Sequence, residues 1–140
     1  MLDLFFDPKF PIQEVKDCIE KSVKLNSKFF KFSNQIIPKF EIELVYSREE
    51  FSSKLNRETA SWESGYCSNN HFIIFHPDFF ESETTHRRED FGKTLTHEIA
   101  HIFIESINSK FLWWVSEGVA QYVAKQANYT GTNNLDNCIR

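Results

Sequence analysis

Two histidines four positions apart, with a glutamate directly after the first, are the strongest chemical signal in the sequence. On an α-helix, His97 and His101 leave the same face about one turn apart, so both imidazoles can bind one metal ion. Glu98 lies beside them, where its carboxylate can reach a water held by that ion. This His-Glu-x-x-His pattern is typical of a catalytic zinc site.

The next predicted helix offers a third ligand. A catalytic zinc site needs three protein ligands and one open position for water. Glu117 stands in the first turn of that helix, and its carboxylate can face the two imidazoles if the helix folds back antiparallel to the motif helix. Glycine inside a helix costs about 1 kcal/mol of stability relative to alanine, so Gly118 is expected to have a structural reason. We expect that reason to be a close approach of the two helices at this position.

Upstream patterns predict the elements that would support the motif helix. Apolar residues recur at helical spacing after Pro11, which predicts an amphipathic helix that packs on a sheet; a membrane-surface or partner-binding helix is the alternative. Residues 40–46 alternate with period two, as in a half-buried strand. Ser47 and Glu50 form a capping-box pattern, which predicts the start of another helix.

The second half of the chain is predicted to contain a hairpin and two helices. Residues 61–75 suggest a β-hairpin that turns at 68–70, and the polar segment 81–88 suggests a solvated connection. The motif helix is expected at about Glu89 to Ile107. The following helix is expected to end near Asn128.

Length and composition limit the classes of protein that fit. We predict one domain over residues 1–140, with a tail at 129–140 that is rich in Asn, Thr and Gly. The net charge of −4 argues against nucleic-acid binding. The sequence contains no run of about 18 apolar residues, so no membrane span is predicted. The absence of a basic amino-terminal region argues against a signal peptide. Three widely spaced cysteines favour free thiols, so we expect a cytoplasmic protein, and the oligomeric state stays open.

The two motif segments together resemble the zinc signature of the gluzincin metallopeptidases. Residues 97–101 (His-Glu-Ile-Ala-His) and 114–122 (Trp-Val-Ser-Glu-Gly-Val-Ala-Gln-Tyr) are most similar to small peptidase-MA-like domains and the aminopeptidase-N type. There a Trp-x-x-Glu-Gly-x-Ala stretch supplies the third ligand. The resemblance covers roughly residues 38–126. It implies an α+β, zincin-like domain with a mixed sheet of about three to four strands. The sheet would pack on an N-terminal helix, the zinc-motif helix and the Glu-ligand helix.

The resemblance also implies an activity and its residues. Zn²⁺ would be bound by His97, His101 and Glu117, and a peptide or protein substrate would be hydrolysed by a zinc-bound water with Glu98 as general base. The strand at 71–75 would be the sheet edge that pairs with the substrate, through Phe72, Ile73 and Ile74.

The group that stabilises the transition state is not assigned by the sequence. Aminopeptidase-N relatives use a tyrosine well after the third ligand, and thermolysin uses a histidine. Tyr129 and Tyr122 are the candidates, although Tyr129 falls in the predicted tail and a tyrosine placed like Tyr122 is more often packed in a core. Gln121 either orients a ligating histidine without contacting the metal itself or is an ordinary exposed side chain.

Three alternatives to an active gluzincin remain open. The domain could bind zinc and a partner peptide without cleaving it, which the unassigned transition-state group favours. It could be a regulator-type zinc protease, although such proteins usually carry Glu-Ala-x-x-Phe-Ala where this chain has Glu-Gly. It could also be a latent peptidase whose tail reaches the metal, since thiolate is a preferred zinc ligand and Cys138 lies in the tail.

Overall fold

A four-stranded mixed sheet carries helices that hold the histidine motif. The computed structural model describes residues 2–32, 37–108, 110 and 112–126. Within those ranges it forms four strands and five α-helices, so the predicted α+β class is confirmed. The elements are β1 (Leu2–Phe5), α1 (Gln13–Phe29), β2 (Phe40–Val45), α2 (Arg48–Leu55), β3 (Gly65–Ser68), β4 (His71–Phe75), α3 (Phe80–Glu83), α4 (Phe91–Ile107) and α5 (Trp113–Gln126), with 3₁₀ turns at Pro77–Phe79 and Arg88–Asp90.

The strand order β1-β2-β4-β3 places β4 inside the sheet. It pairs in parallel with β2 and antiparallel with β3. The prediction that Phe72, Ile73 and Ile74 form a substrate-binding edge is therefore wrong. Their unbroken apolar run belongs to a strand buried on both faces, which is where such runs usually occur. The sheet edges are β1 and β3.

Two local predictions need correction. Strand β1 was not predicted from the sequence, and it pairs in parallel with β2 through only four residues. The segment 81–88 is not simply a solvated connection, because its first part belongs to α3, and the fully buried Phe80 attaches α3 to the core. At its end, Arg88 forms ion pairs with Glu14 (3.0 Å) and Asp78 (3.1 Å).

The predicted start of α2 and the predicted hairpin turn are confirmed. Ser47 Oγ accepts a hydrogen bond from the Glu50 N–H (3.1 Å), while Glu50 accepts one from the Tyr46 N–H (2.9 Å). Between β3 and β4, Asn69 and Asn70 have φ angles of 51° and 62°. Asparagine tolerates this left-handed region better than most residues, which suits a tight two-residue turn.

Helix α4 lies between α1, the sheet and α5. Its apolar face, which includes Leu95, Ile99 and Phe103, is completely buried in the main core with the inner faces of the strands. None of the described helices is long and apolar enough to cross a bilayer. The cytoplasmic location and the single domain over 1–140 stay predictions.

A buried polar contact fixes α4 against α1 just before the histidine motif. Thr96 Oγ1 donates to the Gly92 carbonyl (2.9 Å), which leaves Ser22 Oγ as the donor in its 2.9 Å contact with Thr96 Oγ1. Asn26 Nδ2 also donates to the Thr96 carbonyl (3.4 Å). Because Ser22, Asn26 and Thr96 are all fully buried, this contact restricts rotation of α4 about its axis.

We expect Thr96→Val to destabilise the protein more than Ser22→Ala does. The valine leaves the buried Ser22 hydroxyl without its acceptor, which costs about 1–3 kcal/mol, whereas Ser22→Ala leaves the Thr96 donor bonded to Gly92 and costs about 1 kcal/mol. Urea unfolding of both variants and the double variant measures the difference. Equal losses in the two single variants would contradict this assignment of donor and acceptor.

Candidate metal centre and cleft

Three side chains from α4 and α5 converge on one point. His97 Nε2 lies 3.2 Å from His101 Nε2, and Glu117 approaches both with Oε1 3.1 Å from His97 Nε2 and Oε2 3.2 Å from His101 Nε2. One ligand atom from each residue lies within 4.8 Å of the other two. The structure thus brings together the three residues that the sequence analysis selected.

These distances fit a tetrahedral metal ion. Zinc binds nitrogen and oxygen at about 2.0–2.2 Å, so two tetrahedral ligands stand roughly 3.3–3.5 Å apart. The observed separations of 3.1 and 3.2 Å are close to that spacing. Two imidazole lone pairs and a carboxylate that face each other repel unless a proton or a cation lies between them. The donor set of two nitrogens and one carboxylate oxygen suits zinc and leaves a fourth position open.

A serine that the sequence analysis missed supports His101. Ser116 Oγ lies 2.8 Å from His101 Nδ1, on the side of the ring opposite Nε2. Burial, and then the neighbouring His97, lower the pKa of His101, which favours its neutral, metal-binding form. The available signal was the position of this hydroxyl directly before Glu117, in the same helical turn.

Gln121 is exposed, as one of its two interpretations expected, and it contacts the candidate ligand Glu117 instead of a histidine. Its Nε2 donates to Glu117 Oε1 at 3.3 Å, one helical turn away, so it orients the glutamate and not a histidine.

Glu98 has an unusual protonation equilibrium. Burial, followed by the nearby charge of Glu117, raises its pKa from 4.5 to about 7. No hydrogen bond joins its carboxylate to another of the described residues. A carboxylic acid with this pKa can both accept and return a proton near neutral pH.

A cleft made of two cavities lies beside the three candidate ligands. One cavity of about 360 Å³ extends towards the carboxyl end of α4, and another of about 590 Å³ extends towards its amino end. Gly65, Glu98 and Glu117 line both cavities. The sheet edge beside the site is therefore β3. At Gly65 a Cβ would lie 2.9 Å from the Phe72 ring, so glycine permits β3 to pack closely here.

Two sequence interpretations of α5 are wrong. Gly118 is exposed, and a Cβ there would meet nothing within 4 Å, so it does not serve a close helix approach. The fully buried Ala100 and Ala120 lie at that approach instead. Tyr122 is 58% exposed, which contradicts a core position, and it packs beside Phe29 without lining either cavity. Tyr129 and Cys138 lie outside the described residues, so their predicted roles stay predictions.

Comparison with known proteins places this α+β domain in a class of hydrolases, the peptidases. Residues 22–137, most of the chain, match the family model described as "Peptidase of plants and bacteria", and the chain belongs to that family. The predicted protease class is therefore confirmed. Neither the curated proteins nor the solved structures contain a significant match.

In metal-free protein, we expect Glu98→Gln to increase stability at pH 8. The pKa of Glu98 is about 7 in the folded state and 4.5 for an ordinary exposed glutamate, so the folded state binds more protons between these values and stability falls as pH rises through them. Removing this charge stabilises the folded state by about 2–3 kcal/mol at pH 8 and little at pH 4.

Urea unfolding in the presence of a chelator at the two pH values measures this difference. The exposed Glu49 provides a matched control, since Glu49→Gln removes the same charge at a residue that lines neither cavity. The prediction is wrong if Glu98→Gln and Glu49→Gln change stability equally at pH 8.

Proposed function

We propose that this peptidase is a zinc-dependent enzyme of the gluzincin type. His97, His101 and Glu117 would hold the metal, and Glu98 would act as general base and acid. The observation that carries this proposal is the convergence of His97 Nε2, His101 Nε2 and the Glu117 carboxylate at the centre of a cleft. The two nitrogens lie 3.2 Å apart, and each lies 3.1 or 3.2 Å from one of the two carboxylate oxygens. Membership in a peptidase family supports peptide-bond hydrolysis as the reaction.

The side chains around the centre have separable roles in this reaction. Bound zinc would supply Lewis-acid chemistry, which polarises a peptide carbonyl and acidifies water. Glu98 would accept a proton from the attacking water and deliver it to the leaving amine, a role that its position beside His97 in the wall of both cavities suits. Ser116 would hold the His101 ring so that Nε2 points to the metal, and Gln121 would hold the Glu117 carboxylate.

The substrate would bind as an extended chain along β3. This strand is a sheet edge, and its residues 65–67 line the cavity next to Glu98. An edge strand presents unpaired backbone donors and acceptors, which an extended peptide can satisfy as an added strand. The scissile bond would then cross the candidate metal centre between the two cavities.

A zinc-containing peptide-binding domain without turnover is the second candidate. Tyr122 favours it, because the only described tyrosine after the third ligand lines neither cavity and so supplies no transition-state contact in this arrangement. Such a domain would use the same β3 edge and would retain the metal.

Zinc content and casein cleavage separate the two candidates. We expect about one zinc per chain in the wild type, loss of zinc in Glu117→Gln, and retention of zinc in Glu98→Gln with cleavage reduced by about 100-fold or more. Metal analysis and a cleavage assay on the same preparations, with Glu49→Gln as control, provide the measurement. Wild-type protein with zinc and no cleavage would favour the binding domain, and protein without zinc would refute both candidates.

Replacing Ser116 should weaken the metal site without removing a ligand. We expect Ser116→Ala to lower zinc affinity by about tenfold, because the His101 ring loses the contact at Nδ1 that orients it, and Ser116→Thr to retain most of the affinity. Competition with a chromogenic chelator measures both variants. Unchanged affinity in Ser116→Ala would show that the hydroxyl does not support the ligand.

A further inference from the structure

The two cavities beside the candidate metal centre differ in charge. Glu98, Glu105 and Glu117 line the 360 Å³ cavity, and no lysine or arginine among the described residues does so. The 590 Å³ cavity has Lys93 and Lys125 in its wall together with acidic side chains. The cleft is therefore polar along its length, with its more negative end at the smaller cavity.

Glu105 is the acidic group of the smaller cavity that the proposed chemistry does not use. It follows His101 by four residues, so it lies one turn further along the same face of α4. Its side chain is exposed and forms no ion pair or hydrogen bond with the described part of the chain, whereas Glu63 is paired with Arg57 (2.8 Å). A divalent metal ion would more than offset the charge of Glu117, so Glu105 would be the carboxylate of this cavity that is left to pair with a positive group.

The end of α4 adds to this negative potential. The helix ends at Ile107, and Asn108 after it lines the same cavity. Carbonyl groups in the last turn of a helix carry a partial negative charge and attract cations. Glu105 thus lies in the last turn of a helix whose dipole favours a positive group at this position.

Two aromatic side chains line the same cavity as Glu105. Tyr66 on β3 and Trp113 on α5 are 41% and 75% exposed. Aromatic faces bind the aliphatic stem of a long basic side chain and attract its charged group. Arg57 already lies 5.9 Å from the centre of the Tyr66 ring, but it does not line the cavity and its charge is paired with Glu63.

We propose that this cavity is a subsite for a lysine or arginine side chain of the substrate, with Glu105 as its specificity-determining residue. One helical turn separates Glu105 from His101 by about 6 Å, and an extended peptide advances about 3.3 Å per residue. The basic residue would therefore lie within about two positions of the cleaved bond. This inference rests on the proposed peptidase function, since it names the substrate class of that site.

A matched peptide series tests the subsite. Each peptide has a blocked amino terminus and carries lysine, norleucine or glutamate at one position near the cleaved bond. We expect kcat/KM to be about five- to tenfold higher for lysine than for norleucine, and the preference to decrease in 0.5 M salt. Glu105→Gln should remove the preference, Glu105→Lys should reverse it towards glutamate, and Glu49→Gln should leave it intact. A preference that survives Glu105→Gln would overturn the proposal.

A free α-amino group is a second source of positive charge, and the same series distinguishes it. Peptides with free and acetylated amino termini are compared at each substitution. If acetylation abolishes cleavage while lysine and norleucine remain equivalent, the cavity binds the amino terminus and the side-chain subsite is overturned. If acetylated lysine peptides are still preferred, the side chain is the ligand.

A binding measurement keeps this test separate from that of the peptidase function. Labelled peptides are titrated into zinc-loaded Glu98→Gln protein with and without Glu105→Gln, and fluorescence anisotropy reports the affinity. Tighter binding of lysine than of norleucine peptides that depends on Glu105 supports the subsite, even if the wild type cleaves nothing and the peptidase proposal fails. Equal binding of the two peptides overturns the subsite, even if cleavage is efficient.

Discussion

Close packing of α4 against α5 is the interaction on which the candidate metal centre depends. Ala100 and Ala120 are completely buried in one small cluster with Ile104 and Val123. Small side chains at a helix crossing permit a close approach of the two backbones. Ala100 directly precedes His101, and Glu117 lies about one turn before Ala120, so the packed alanines and the ligands are neighbours along both helices. A larger side chain at either alanine would separate the groups that must meet.

The sheet contributes the opposite wall of the cleft, and its strand order determines which backbone is accessible. Because β4 is enclosed by β2 and β3, its apolar residues stabilise the core and have no edge to offer a ligand. The shorter β3 takes the outer position beside Glu98. Gly65 permits this arrangement, since any side chain there would collide with Phe72. One strand thus provides hydrophobic burial, and its neighbour provides the accessible edge.

The candidate ligands could be predicted from sequence because helical geometry relates their positions directly. The four-residue spacing of His97 and His101 places them on one face of a helix. Predicting Glu117 as the third ligand required only the assumption that the next helix folds back antiparallel to the first. Strand order depends mainly on long-range pairing. The one local sign of it, the unbroken apolar run of β4, favours an interior strand and was not used when the edge was predicted. Ser116 was not singled out, because a serine is common on helix surfaces and its contact with His101 crosses between two helices. Gln121 was a candidate, but the sequence did not show that it contacts Glu117 instead of a histidine.

All three candidate ligands and Glu98, the proposed general base, lie within residues 97–117, on two helices that are adjacent in the chain. Contacts between residues so close in the sequence close only a short loop, so they cost little conformational entropy and form early in folding. The parallel pairing of β1, β2 and β4 joins distant segments and forms more slowly. A metal ion that binds at this centre would therefore meet its ligands on the helical hairpin before the sheet is complete. Binding at that stage would favour the folded chain by mass action, so the reaction centre would also act as a nucleus for its own scaffold.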